Sequence, residues 1–304
     1  MADHQPKDLN LSVEEGRANN RLSHLKNSHM TTKSKFIIPN HHSEKLVGIL
    51  HDTGSKDLVI ICHGIKSTKE RIPMVSLANA IERIGISTFR FDFAGNGESE
   101  GSFLYGNYRR EVEDLHAVIQ HFRGLDLVIS TIIGHSKGGN VVLLYAAKYH
   151  GVHRVVNISG RFDLKKGIEG RLGKNYLERM ANTGFIDVFS KTGKFQYRVT
   201  KESLMDRLST DVQAACCLIP ENCRVLSIHG SMDQIVAVKD ALEFHKVIGN
   251  HTLHIIEGAD HEFTSHQNEL VKVVLDFLGD QNRLNDATQS APFDVQGPFI
   301  CSKL

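Results

Sequence analysis

The sequence predicts an α/β protein: a mostly parallel sheet with helices on both faces and one long insertion between its sixth and seventh strands. Three observations carry this. From Phe36 onward, short apolar runs rich in β-branched residues alternate with amphipathic stretches, the pattern of successive βα units. A length of 304 residues is near the size at which one hydrophobic core stops growing, so one large domain carrying an insertion is expected. A single interval, residues 161–222, breaks the alternation.

In chain order, eight strands are predicted: Phe36 to Pro39, Leu46 to His51, Leu58 to Cys62, Ser87 to Phe91, Leu127 to Ile133, Val155 to Ser159, Arg224 to Ile228 and Thr252 to Ile256. The stretches between them repeat apolar residues at helical spacing. Leu77, Ile81 and Ile84 share one face, as do Val112, Leu115, Ile119 and Phe122, and later Leu270, Val273, Val274, Phe277 and Leu278. Each such face needs a sheet to cover. The insertion is helical in flavour and carries Tyr176, Leu177, Met180, Phe185, Ile186, Val188 and Phe189, which suits a cap over a pocket. From Arg161 to Lys201 it holds ten Lys or Arg against four Asp or Glu, a net +6 that serves either as a solvated face or as an attraction for an anionic substrate.

Charge and composition narrow the function. Hydrophobic residues are 40% and charged residues 23% of the chain, which argues against wholesale disorder. With 36 Lys plus Arg against 35 Asp plus Glu, the net charge of +1 provides no global field for nucleic acid or an anionic membrane. No apolar run approaches the roughly 18 to 20 residues of a membrane span. Residues 1–33 are polar, contain Asp3, Asp8, Glu14 and Glu15, and lack an apolar core, so a disordered leader is expected. The 5 cysteines, with no CxxC, read as reduced thiols of an intracellular protein.

The chemistry is concentrated at strand ends. Gly134-His135-Ser136-Lys137-Gly138 follows the Leu127 strand and precedes a helical stretch from Val141 to Lys148. Strand, tight small-residue turn and helix N-terminus are what a nucleophile elbow requires, with Ser136 lifted clear of the backbone. A serine hydroxyl needs a base to take its proton and an acid to orient that base. Asp233 follows the Arg224 strand and His261 follows the Thr252 strand, so three loops at strand ends could converge. His135, His229 and His254 lie at or within strands and read as structural, while Asp260 reads as a loop-bonding neighbour. For an oxyanion, the backbone N–H groups of Ile65, in Cys62-His63-Gly64-Ile65, and of Lys137 are the candidate donors. Asp92 and Ser99, in Phe91 to Ser99, are expected to bond the loop that supports the oxyanion segment. There is no GxGxxG, no GxxxxGK and no metal-ligand spacing, so neither metal nor organic cofactor is expected.

These motifs resemble the α/β-hydrolase superfamily and, within it, the serine aminopeptidase-like and cinnamoyl or feruloyl esterase-like branch. The resemblance spans about residues 34–280. It rests on HGI at 63–65, FDFAGNGES at 91–99, GHSKGG at 134–139, HGSMD at 229–233 and GADH at 258–261, and on the order Ser136, Asp233, His261. It implies an α/β-hydrolase fold with an eight-stranded sheet, a cap between strands six and seven, and a serine hydrolase cleaving a carboxylic ester through an acyl-enzyme. Lys137 departs from the apolar residue or Gln often found there. A peroxisomal acyl-CoA thioesterase, a hydrolase-fold ligand receptor and a serine peptidase are the competing expectations.

The chain ends Ser302-Lys303-Leu304 after a tail of residues 281–304, the form of a peroxisomal address read by an import receptor. The peroxisome is the expected location, with the cytosol as alternative.

Overall fold

The computed structural model describes residues 31–279, and the leader before Thr31, the tail 281–304 with its terminal Ser302-Lys303-Leu304, and Cys301 lie outside them. The main sheet has eight strands: β1 (Thr32–Pro39), β2 (Lys45–Asp52), β3 (Asp57–Cys62), β4 (Ser87–Phe91), β5 (Val128–His135), β6 (Arg154–Ile158), β9 (Arg224–Gly230) and β10 (His251–Ile256). Their spatial order is β1-β2-β4-β3-β5-β6-β9-β10. β1 and β2 pair antiparallel with each other, and β2 antiparallel with β4; every pairing from β4 across to β10 is parallel. β1 begins at Thr32, so ordered structure starts inside the expected leader 1–33.

A parallel sheet must be covered on both faces, and the strand sequences supply both. On β3, Leu58, Ile60 and Cys62 enter one core with Val112, Leu115, Ile119 and Phe122 of α2 (Tyr108–Arg123) and Val141, Val142 and Leu143 of α3 (Lys137–Tyr149). The intervening Val59 and Ile61 enter the opposite core with Leu77 and Ile81 of α1 (Met74–Arg83) and Leu270, Val274 and Phe277 of α9 (Gln267–Gly279). Ile84, assigned by spacing to the buried face of α1, is 48% exposed because the helix ends at Arg83 and turns through Gly85.

Between β6 and β9 lie α4 (Glu169–Leu172), α5 (Tyr176–Thr183), β7 (Phe185–Phe189), β8 (Phe195–Thr200), α6 (Lys201–Ser209) and α7 (Val212–Cys216). The helical expectation for this interval is corrected in part: β7 and β8 form an antiparallel hairpin. Its strands are short and amphipathic, and Phe185, Phe189 and Leu177 stay exposed while Met180, Ile186 and Val199 pack into a separate small core with Tyr105. α8 (Lys239–Val247) connects β9 to β10. Among the described residues, no helix is long and apolar enough to cross a membrane, and Cys62, Cys216, Cys217 and Cys223 are free thiols.

Candidate active site

Ser136 occupies the turn between β5 and α3 with φ 55° and ψ −116°. A β-carbon-bearing residue pays about 1–3 kcal/mol for so sparsely populated a conformation, and the neighbours must hold it there. They do so by close approach. A Cβ on Gly134 would lie 2.1 Å from the Gly138 carbonyl oxygen, and one on Gly138 would lie 2.5 Å from that of His63, so neither position admits a side chain. The Ser136 N–H also donates to Ile158 O at 2.7 Å, tying the turn to β6.

The loops after β9 and β10 bring Asp233 and His261 to this serine. His261 Nε2 is 3.0 Å from Ser136 Oγ, and His261 Nδ1 is 2.7 Å from Asp233 Oδ2. An ionised Asp233 accepts from Nδ1–H, which leaves Nε2 as the acceptor for the serine hydroxyl. Burial pushes the Asp233 carboxyl upward, but bonds from His229, His261 and the Val236 N–H outweigh it and hold the group far below the usual carboxylate range. Its Oδ1 accepts from the Ile235 and Val236 N–H groups, each at 2.8 Å. Asp260 faces away and accepts from Thr264 N–H at 2.8 Å.

Two histidines expected to be purely structural touch this chain of bonds. His229 Nε2 lies 2.9 Å from Val236 O and 3.3 Å from Asp233 Oδ2, so one N–H is shared between the loop carbonyl and the carboxylate. His135 Nε2 donates to His261 O at 2.8 Å, with ring centroids 5.0 Å apart, and burial lowers its pKa to about 3, so it stays neutral. Neither role shows in the spacing, because both depend on how the strand-end loops fold back. His135, His261 and Glu262 bring potential ligand atoms within 4.8 Å of one another, the one such trio among the described residues; nitrogens of both histidines are already engaged in the bonds above.

Ile65 and Lys137 line the same pocket as Ser136 and His261. The Ile65 loop is pinned at its base. His63 Nε2 accepts from Phe93 N–H at 3.1 Å while its Nδ1–H donates to Gly64 O at 2.7 Å, and burial lowers its pKa to about 4. Asp92 accepts from the Lys69 N–H at 2.7 Å and from Lys69 Nζ at 2.6 Å, and Ser99 Oγ donates to Asp92 O at 2.6 Å. Asp92 thus reaches the loop after β3, whereas Ser99 holds Asp92 and accepts from the Val47 N–H of β2.

The Lys137 side chain runs beneath the elbow. Its Nζ is 2.7 Å from Glu111 Oε1 and 5.0 Å from the Tyr108 ring centroid, with both charged side chains about as buried as core residues, at 3% and 5% exposure. Burial pushes Glu111 up to about 7 against the pull of Lys137. The unusual elbow residue is therefore neutralised from α2 and adds no bare charge to the pocket floor.

The cavity above Ser136 holds about 230 Å³ and is also lined by Tyr105, Tyr108, Asn140, Arg161, Arg171 and Arg207. Sequence reasoning passed over these. Arg161 could have been found by the logic that selected Asp233 and His261, since it closes the loop just past β6.

The model of the family described as "Serine aminopeptidase, S33" matches residues 53–215, more than half of the chain. An uncharacterized protein of Saccharomyces cerevisiae is 26% identical over 230 residues, covering 68% of this chain and 68% of its own length. A monoacylglycerol lipase of Mycolicibacterium smegmatis is 27% identical over 117 residues, 36% of this chain and 39% of that protein. Among solved structures, Est1E from Butyrivibrio proteoclasticus with bound ferulic acid superposes with a TM-score of 0.72 at 22% identity, over 82% of this chain and 99% of that one. A likeness at that identity shows the fold.

Proposed function

Because the chain belongs to the serine aminopeptidase S33 family and is an esterase-like α/β-hydrolase, we propose that it cleaves a carboxylic ester through an acyl-enzyme, with Ser136, His261 and Asp233 as its catalytic residues. The observation that carries this reading is the unbroken run of hydrogen bonds from Ser136 Oγ through His261 to Asp233. Ser136 Oγ attacks the ester carbonyl as His261 Nε2 takes its proton, and Asp233 stabilises the imidazolium. The Ile65 and Lys137 N–H groups receive the oxyanion, Lys137 from the first turn of α3, where the helix dipole favours negative charge. Collapse expels the alcohol, protonated by His261. Water then attacks the acyl group with His261 again as base, and Ser136 is released. Residues 161–222 act as the cap that limits water and shapes the substrate.

The test is hydrolysis of p-nitrophenyl and aryl esters by the wild type and by Ser136→Ala. Removing a serine nucleophile of this kind costs on the order of 10⁶ in turnover. A variant that keeps a substantial share of wild-type turnover would overturn the assignment.

We also propose that Ser302-Lys303-Leu304 directs the enzyme to the peroxisome through an import receptor. A fluorescent protein carrying the last dozen residues should become punctate, and a diffuse signal would count against this.

A further inference from the structure

Three arginines face the cavity over Ser136: Arg161 from the loop after β6, Arg171 from α4 and Arg207 from α6. The guanidinium groups of Arg161 and Arg207 bond to neutral oxygens. Arg207, only 6% exposed, donates from Nε to Leu164 O at 2.9 Å, from Nη1 to Tyr108 Oη at 3.1 Å and from Nη2 to Lys166 O at 3.1 Å. Its guanidinium also lies 5.1 Å from the Tyr105 ring centroid. Arg161 Nη2 donates to Ile235 O, and Arg171 engages Tyr197. Among the described residues, none of the three has a carboxylate within ion-pair distance, whereas the buried Lys137 and Lys69 are each matched by a buried acid, Glu111 and Asp92. Burial lowers the pKa of Arg161, and so does the like charge of Arg207; the acids that act on Arg161, Asp240 and Asp233, are themselves engaged by Phe162 N–H and by His261.

The placement of Arg161 is fixed rather than incidental, while Arg171 is exposed at the edge of the cavity. The Asn140 side chain, on α3 one turn beyond the elbow, accepts from Arg161 N–H at 3.1 Å and donates to Arg161 O at 2.6 Å. Gly167, at φ +73°, leaves the room that the Arg161 guanidinium fills, and a Cβ there would come within 2.9 Å of it. Two like charges held close with no acid between them are an arrangement that a bound anion relieves, and guanidinium groups suit carboxylate and phosphate oxygens.

We propose that this pocket selects esters whose body carries an anionic group, a carboxylate or a phosphate, and that Arg161, Arg171 and Arg207 hold that group. This rests on the ester-hydrolase reading above and names its substrate class. Charge-assisted bonds of this kind discriminate by tenfold or more.

The experiment compares two matched pairs: p-nitrophenyl hemisuccinate with p-nitrophenyl butyrate, and monobutyryl glycerol 3-phosphate with monobutyrylglycerol. The anionic member of at least one pair should have a kcat/KM at least tenfold higher. The pair that responds shows whether the anion sits on the acyl or the alcohol side. Arg171→Gln and, independently, Arg161→Gln should lower that ratio at least tenfold, while Lys191→Gln, the same charge change on the exposed hairpin, should leave it alone. Equal or better use of the neutral member in both pairs overturns the proposal, as does a Lys191→Gln effect matching that of Arg171→Gln. A second measurement is free of turnover: calorimetric binding of inorganic phosphate and of succinate to Ser136→Ala at constant ionic strength. Binding that weakens at least tenfold on adding Arg171→Gln supports the anion site even if no ester is cleaved, in which case the hydrolase reading alone fails. No binding of either anion, or binding indifferent to both arginine substitutions, overturns the site while leaving ester hydrolysis standing.

Discussion

The floor and the roof of the pocket treat charge in opposite ways. In the floor, built by the sheet and its strand-end loops, Lys137 is met at 2.7 Å by Glu111 and the Asp233 carboxylate by two histidines and two N–H groups. In the roof, the side lined by Arg161, Gly167, Arg171 and Arg207 of the segment proposed as a cap, Arg207 is buried on carbonyl and phenol oxygens alone. A buried charge is costly unless it is paired and hydrogen-bonded, so the matched floor reads as machinery complete in itself, and the unmatched roof as a surface awaiting a counter-charge. The two differ in construction as well. The floor rests on cores shared by all parallel strands, while the part of the roof from α4 to α6 packs into its own small cluster around Tyr105, Leu172 and Val199, and Leu164, Val212, Cys216 and Ile219 at the two ends of the segment join the core of the sheet.

That contrast predicts large effects from floor substitutions and small ones from the roof scaffold. The largest is Asp233→Asn, which should leave the fold intact and lower kcat by about 10⁴, because His261 loses the partner that fixes its tautomer. Steady-state ester kinetics beside a circular dichroism spectrum like that of the wild type would check it. Next comes Glu111→Leu, which strands the Lys137 ammonium in the core and should destabilise the protein by about 3–5 kcal/mol in urea unfolding. Adding Lys137→Met should recover most of that loss; if the single substitution is neutral, the floor is not charge-matched as described.

Acid should act on the floor in a similar way. Burial lowers the pKa of His63 to about 4 and of His135 to about 3, whereas in the unfolded chain each titrates near 6.5. The unfolded state therefore binds more protons than the folded state below pH 6.5. Stability is present in full above that value and falls as pH drops toward 4, by on the order of 3 kcal/mol for a single such histidine. Thermal unfolding from pH 7 to 4 should show a steep fall in Tm, and a flat profile would contradict the neutral buried state of these rings.

The smallest effect belongs to the roof. Thr200 and Ser203 form a reciprocal capping box at the start of α6, with bonds of 3.2 and 3.1 Å. Thr200→Ala should cost about 1 kcal/mol, visible in chemical denaturation. A larger cost would mean that the roof is more tightly coupled to the sheet than its separate core suggests.

What the sequence determined by itself was the sheet and the positions of the candidate reacting groups along it. Strand periodicity placed eight strands within a few residues, because a run buried on both faces is apolar throughout and bounded by turns. The same periodicity put Ser136, Asp233 and His261 at strand ends, where any parallel sheet gathers its loops. Tertiary structure alone decided the rest. The β7–β8 hairpin was hidden because its half-exposed strands carry no continuous apolar run, and Ile84 passed for a core residue because its spacing continues a helical face beyond Arg83, where the helix ends. The Glu111–Lys137 pair and the sharing of Asp233 between His229 and His261 join residues whose separation in sequence or loop geometry carries no period. The three arginines come together for the same reason: pairing of charge is set by distance in space, and only the folded chain assigns those distances.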